Sequence, residues 1–356
     1  KFGKGVLIEE GTTNLVSNPD FEGGTDGWIL STAAARSNAD SYIGSYSLAL
    51  TNPAWPQEST YNITGIAPST AYTFSVYVKS SLSYIRINVI DLNGTTALNL
   101  DVRNVSIHSA ENNNTWKRYT LTWTTAANAD GVQIRIICGE SGYSGVAYLD
   151  GFQLEQKPYA TSFVGGTRSP ETLTLPTAGV LNLQEGTIAL WFKPYPAFWN
   201  GSYNRIIGHA TAVDINELSL ARLSTEDKLI CYASNASGQW SGGSYSALSS
   251  TTELEPNKWY HLAFTWKTGG KLVLYVNGVK EGEINYDKPP SVFGTLAVGY
   301  HSDYSGRHAD GLYDELRIDN IARTDAEIAD WYNANAPSTS DEYTTYLSHF
   351  DGSLSS

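Results

Sequence analysis

The sequence predicts an all-β protein: two antiparallel sandwich domains in tandem, with one short helix near the end of the second. Three observations carry this. Nearly every periodic segment alternates apolar and polar residues with a period of two, the pattern of a strand with one buried face. Gly, Asn, Ser and Thr separate these segments at short intervals, and no strand–helix–strand alternation occurs, which favours antiparallel sandwiches or jelly rolls. The 356 residues are 41% hydrophobic, enough to fill two cores at about 100–200 residues per domain.

In chain order, residues 1–13 read as a linker or the end of a preceding module. The first domain, residues 14–165, contains the alternating runs Tyr72–Val78, Ile85–Val89 and Val132–Ile136. Asn93-Gly94 lies between such runs and suits a tight hairpin, because both residue types tolerate positive φ. The strand Val146–Glu155 and the irregular stretch Gln156–Val164 lead to a boundary at Gly165-Gly166. The second domain, residues 166–336, has the same hairpin pair at Asn277-Gly278 and ends on its helix. Thr324-Asp325-Ala326-Glu327 is a capping box, and Ile328, Trp331 and Tyr332 follow at helical spacing. A helix is therefore expected over about Asp325–Asn333, its apolar stripe against the sandwich edge. Residues 337–356 read as a linker and the start of a following β segment.

Charge and composition exclude several functions. With 36 acidic and 23 basic residues the net charge is −13, and no Lys/Arg block occurs, so neither nucleic acid nor an anionic membrane is an expected partner. No run reaches the roughly 20 apolar residues of a membrane span, so no membrane insertion is expected. Cys138 and Cys231 sit far apart in apolar alternating runs and read as buried free thiols, too few for a cysteine zinc site. Methionine is absent even at the first position, so the chain is expected to start inside a longer polypeptide. No His-Glu-x-x-His, Gly-x-Ser-x-Gly or phosphate-cradling glycine loop is present, and no enzyme is expected.

The first half carries Asn14-Leu15-Val16-Ser17-Asn18-Pro19-Asp20-Phe21-Glu22, then Gly27-Trp28, Gly44-Ser45-Tyr46-Ser47-Leu48-Ala49-Leu50 and Tyr148-Leu149-Asp150-Gly151-Phe152-Gln153-Leu154-Glu155. In that order the motifs resemble the jelly-roll carbohydrate-binding modules attached to xylanases and related glycanases, over about Asn14 to Glu155. The resemblance implies a structural Ca²⁺ held by Glu22 and Asp150, with a backbone carbonyl near Ser45 as a third ligand. Two carboxylates drawn together from opposite chain ends would repel unless a hard cation sat between them.

The second half carries Gly186-Thr187-Ile188-Ala189-Leu190-Trp191-Phe192-Lys193-Pro194, Trp259–Trp266, Leu272–Gly278 and Gly311-Leu312-Tyr313-Asp314-Glu315-Leu316-Arg317-Ile318. This set resembles the concanavalin A-like, laminin-G-type jelly roll, over about Thr167 to Asn335. It implies a Ca²⁺ near the Asp-Glu strand, with Asp314 the candidate ligand; His301, Asp303 and Asp310 are polar neighbours that match no defined ligand set. The junctions Gly3–Leu15 and Gln153–Phe163 resemble segments of phage tail and minor structural proteins, and the same pairing of modules is expected in secreted bacterial surface proteins.

Sugar recognition needs flat aromatic faces together with amide and carboxylate groups. Trp28, Trp116, Trp191, Trp259 and Trp266 occupy motif positions and read as core. Trp55, Trp199 with Tyr203, and Trp240 with Tyr245 lie on Gly/Ser/Asn/Pro loops, where a large ring either marks a contact surface or folds back onto the sandwich. The contact reading places Trp199, Tyr203, Trp240 and Tyr245 partly exposed and near one another. The expected function is non-catalytic binding of cell-surface or cell-wall polysaccharide, within a phage tail or fibre or a bacterial extracellular protein and beside other modules of the same chain. The alternatives are spacer modules of a fibre or stalk, or accessory modules of a secreted glycoside hydrolase.

Overall fold

In the computed structural model of the chain all residues are described except 52–56, 83, 95, 109–113, 139–144, 200–202, 213–214, 223–226, 237–244, 288, 301–307 and 352–356; of residues 84, 96–108 and 245 only the backbone is. The chain divides into two units, Gly11–Ser169 and Lys1–Glu10 with Pro170–Ser356. Each is an antiparallel β-sandwich with its own core.

In the first sandwich one sheet runs Lys117–Thr124, Ala71–Ser80, Val146–Glu155, Ser47–Thr51, Ala34–Ser37, and the other Trp28–Ile29, Gln57–Thr64, Gly131–Cys138, Tyr84–Asn93, Thr96–His108. The alternation sets the layers. Tyr72, Phe74, Val76 and Val78 from one sheet meet Ile85, Ile87, Val89, Val132, Ile134 and Ile136 from the other. The motif aromatics Phe21 and Trp28 close this core against Phe152, with ring centroids 5.8 and 4.8 Å away.

The second sandwich packs a seven-stranded sheet on a six-stranded one. Ile188, Leu190, Phe192, Leu262, Phe264 and Trp266 of the first meet Ile207, Leu218, Leu220 and Cys231 of the second. At the hairpin joining Lys271–Val276 to Val279–Asn285, Asn277 and Gly278 have φ of 51° and 75°, the two positive values that a two-residue turn matching the strand twist requires. The capping box forms as the sequence implies, and the helix spans Asp325–Ala334. It lies on the outer face of the seven-stranded sheet rather than its edge: Ile328 packs against Ala189, Ala263, Val273 and Tyr275, where the two alanines leave a trough for the helix.

Two further expectations meet a different structure. Residues 1–13 and 337–356 were separated from both sandwiches by sequence. In the fold, Val6–Ile8 pairs with Gly311–Tyr313 and Thr344–Ser348 pairs with Leu316–Asp319, so both segments line the same side of the strand Gly311–Asp319. Periodicity identifies a strand but not its partner, and this strand offers backbone groups that would otherwise stay unpaired. Of the tryptophans read as core, Trp28 and Trp266 are core and Trp191 is buried under the helix, its ring 5.8 Å from Tyr332. Trp116 and Trp259 are only half-buried, because each lies in the loop just before a strand, Lys117–Thr124 and Tyr260–Lys267, rather than within it. Both cysteines are free and buried, and burial pushes the Cys138 thiol up to about 11. Among the described residues no helix is long and apolar enough to cross a membrane.

Candidate functional site

Glu22 and Asp150, from opposite ends of the first sandwich, converge on the loop Tyr42–Tyr46. Glu22 Oε1 accepts the N–H groups of Ser45 and Tyr46 at 2.6 and 2.7 Å. Asp150 Oδ2 accepts those of Tyr42 and Ile43, both at 2.8 Å, and its Oδ1 that of Gly151 at 2.7 Å. Gly44 is required here: its φ is +61°, and a Cβ would stand 2.5 Å from Glu22 Oε1. Ser45 thus meets Glu22 through its N–H rather than its carbonyl. Burial pushes the Asp150 carboxyl up to about 6; the Ile43, Tyr42 and Gly151 N–H groups pull it down, and the charge of Asp20 adds to the rise.

A cation at this place would have to use what the N–H donors leave. Each carboxylate oxygen has two lone pairs, so Glu22 Oε1 and Asp150 Oδ2 are filled, while Glu22 Oε2 and one lone pair of Asp150 Oδ1 remain. Among the described residues no cluster of three or more His, Cys, Asp or Glu side chains could hold a metal. In the second sandwich Asp314 repeats the local device. Its Oδ1 accepts the N–H of Glu315, which has φ +53°, and its Oδ2 accepts the Phe2 N–H at 3.0 Å and the Lys1 amino group. Asp310 is buried and accepts the Glu10 N–H; His301 and Asp303 lie outside the described residues.

The outer face of the sheet containing Gln57–Thr64, Gly131–Cys138 and Tyr84–Asn93 carries a strip that sequence reasoning passed over. Glu58, Thr60 and Asn62, then Gln133 and Arg135, then Arg86 and Asn88 stand on three adjacent strands, with Arg135 opposite both Thr60 and Asn88. Arg135 grips Glu58 through two bonds of 2.6 and 2.9 Å, and Gln133 donates to Asn62 at 2.9 Å. Asn88 is only 3% exposed, yet its side-chain oxygen accepts no hydrogen bond. A buried acceptor left unpaired costs about 1–3 kcal/mol, and is retained where water or a ligand completes it. The signal was present in the runs Ile85–Val89 and Val132–Ile136: their apolar half identified the strands, and their polar half is this strip.

Among the described residues, Trp199 and Tyr245 do not come together. Trp55 and Trp240 lie outside the described residues, as does the Tyr245 side chain. Trp199 is half-buried, its ring 5.1 Å edge-on from Phe198, and it borders an open hollow of about 540 Å³ with Asp227, Glu253 and Glu255. Tyr203 is half-buried, and burial raises its hydroxyl well above the usual tyrosine range. Lys228 pairs with Glu253 at one end of a hairpin and Ser234 with Tyr245 at the other. Six residue steps separate those ends, roughly 20 Å of extended strand, so Trp199 and Tyr245 stand at opposite ends of the sheet.

Two jelly-roll sandwiches, each with a carboxylate anchoring the closing strand, define a chain of the lectin-like class. Residues 13–143 match the family model of a carbohydrate binding domain, and residues 165–329 match that of the concanavalin A-like lectin/glucanases superfamily. The chain is a tandem of a carbohydrate-binding module and a concanavalin A-like, laminin-G-type domain. No curated protein matches it. Among solved structures, domain 4 of AbnA, an extracellular arabinanase from Geobacillus stearothermophilus in complex with arabinotriose, is 18% identical over 47% of this chain and 72% of its own, with a TM-score of 0.35. The heptameric SAP-like pentraxin of Limulus polyphemus is 18% identical over 48% and 81%, with a TM-score of 0.36. TmCBM61 in complex with β-1,4-galactotriose is 17% identical over 40% and 99%, with a TM-score of 0.32. Likeness of this degree carries nothing about function.

Proposed function

We propose that this chain is a non-catalytic glycan-binding segment of a modular extracellular or virion-surface protein, of the phage-tail or bacterial-surface kind, and that the polar strip of the first sandwich holds cell-surface or cell-wall polysaccharide. The observation that carries the reading is the unpaired, recessed Asn88 oxygen beside Arg135, in a domain matched by a carbohydrate-binding family. Amides and a guanidinium set across adjacent strands suit a row of sugar hydroxyls, which both donate and accept. Trp55 is kept as a proposed sugar contact on its sequence alone. In the second sandwich Trp199, bordered by three carboxylates, is the proposed contact.

A glycan array tests this directly. The intact chain should retain at least one polysaccharide class, Arg135→Ala combined with Gln133→Ala should weaken that binding tenfold or more, and no reducing sugar should be released. Binding that survives the double change would remove the strip from the reading; an array without hits would favour a spacer role.

Calcium belongs to the same reading, held by Glu22 Oε2 and Asp150 Oδ1 beside the Tyr42–Tyr46 loop. What supports it is a buried carboxyl that burial and Asp20 push upward, a penalty that a hard cation offsets. Asp314 keeps one Oδ1 lone pair in the same way and is the corresponding candidate ligand of the second sandwich.

A further inference from the structure

On the opposite outer face of the first sandwich, Tyr42 is stacked on Tyr77 with ring centroids 3.8 Å apart and planes 18° from parallel. One face of Tyr42 is therefore covered, and the ring is still 50% exposed, so its other face is open to solvent. Trp116 stands beside it at 5.9 Å, inclined at 55°, making a wall at an angle to the floor. Polar groups ring this corner. The Trp116 indole N–H donates to Asp40 Oδ1 at 3.1 Å, Lys79 donates to Asp40 Oδ2 at 2.6 Å, and Arg118 lies 5.4 Å from the Tyr77 ring with one bond to Ser75.

Packing alone does not require this corner. Tyr77 and Arg118 point away from the core, and neither Tyr42 nor Trp116 is part of it. The corner is nonetheless held in place, because four N–H bonds from Tyr42, Ile43, Ser45 and Tyr46 to Asp150 and Glu22 fix the loop that carries Tyr42. A fixed, open aromatic face edged by a carboxylate and an ammonium suits a ring that is apolar on its face and hydroxylated on its rim.

We propose that Tyr42, Trp116, Asp40 and Lys79 form a second glycan subsite, a pyranose stacking on Tyr42 against Trp116 while its hydroxyls meet Asp40 and Lys79. The first sandwich then grips polysaccharide on two opposite faces and bridges two chains, or two segments of one. This rests on the reading of that domain as glycan-binding, and not on the polar strip being its other site. Two weak sites on one rigid body raise the apparent affinity for a polymer far beyond that for a short oligosaccharide.

The experiment is affinity electrophoresis of the intact chain through gels containing soluble xylan, mixed-linkage β-glucan, galactan or arabinan, with titration calorimetry against the matching oligosaccharide. We expect two sites per chain in the first sandwich for the parent and one for Tyr42→Ala, with retardation by the polymer reduced about tenfold, the upper end for loss of one aromatic contact. Tyr42→Phe, which keeps the stacked ring, should behave as the parent and shows that any loss is not a folding failure. Trp116→Ala should reproduce Tyr42→Ala. If Tyr42→Ala and Trp116→Ala migrate as the parent on every polymer that retards it, the subsite does not exist. If Arg135→Ala with Gln133→Ala abolishes retardation while Tyr42→Ala does not, the strip stands and this proposal falls; the reverse result leaves the proposal standing and removes the strip.

Discussion

Asp150 is the residue whose chemistry is easiest to interrogate. Its carboxyl lies near 6 in the folded chain against about 3.9 for an unperturbed aspartate, so the folded state takes up this proton more readily than the unfolded one. A raised carboxylate pKa makes this group's contribution to stability fall as pH rises from about 4 through 6. In chelator the first sandwich should therefore melt higher at pH 5 than at pH 7 through this group, and Asp150→Asn should flatten that dependence. With Ca²⁺ bound the titration should move down and the pH 7 melting temperature rise, as binding to the folded state alone requires. Calorimetric curves identical with Ca²⁺ and with chelator would dispose of the metal. Asn88 gives the companion test: Asn88→Ala removes an unpaired buried oxygen, so stability should hold or rise slightly while glycan binding drops. Of these residues, sequence motifs marked Asp150 and Glu22, since their order along the chain resembles a known module. They could not reveal Asn88, which looks like any outward residue of an alternating strand until its neighbours are placed.

At the scale of elements, the helix Asp325–Ala334 depends on its cap and on one buried side chain. Thr324 Oγ1 accepts the Glu327 N–H and Glu327 in turn accepts the Thr324 N–H at 2.8 Å. Thr324→Ala should cost about 1 kcal/mol, and Ile328→Ala about 2–5 kcal/mol because the Ala189–Ala263 trough cannot collapse onto the space left. Thermal denaturation of the second sandwich checks both, and equal losses would contradict this ordering. The terminal strand Thr344–Ser348 is held by charge as well as by its ladder. Arg323 bonds both oxygens of Asp341 at 2.6 and 2.7 Å, and Arg317 adds a third contact at 2.9 Å. Burial alone would raise the Asp341 carboxyl; the Arg323 guanidinium outweighs it and holds the group at about 2. Its contribution is complete above about pH 4 and is lost as pH falls through 2. Asp341→Asn should lower the melting temperature at neutral pH and make the second sandwich less sensitive to acid between pH 4 and 2. An unchanged acid limb would show that the pair is solvated and inert.

Across the whole molecule, the second sandwich is assembled from chain segments on both sides of the first, since Lys1–Glu10 and Pro170–Ser356 form one unit around Gly11–Ser169. Removing residues 1–10 strips Val6–Ile8 and the buried Ile8 from the strand Gly311–Asp319, and should destabilise the second sandwich while leaving the melting of the first in place. Loss of the first transition instead would contradict that division. The sequence by itself determined the all-β class, the two sandwich domains, the Asn-Gly hairpin and the capped helix. Each of these follows from side-chain periodicity or from backbone preferences that act over a few residues, and such local terms are written in the order of the chain. Only the tertiary structure decided that both ends of the chain flank one strand, that Trp199 and Tyr245 stand at opposite ends of a hairpin, and that Tyr42, Tyr77 and Trp116 meet. Those outcomes depend on which backbone edges are left to pair and on which outward faces lie side by side, and neither is fixed until distant strands have found their register.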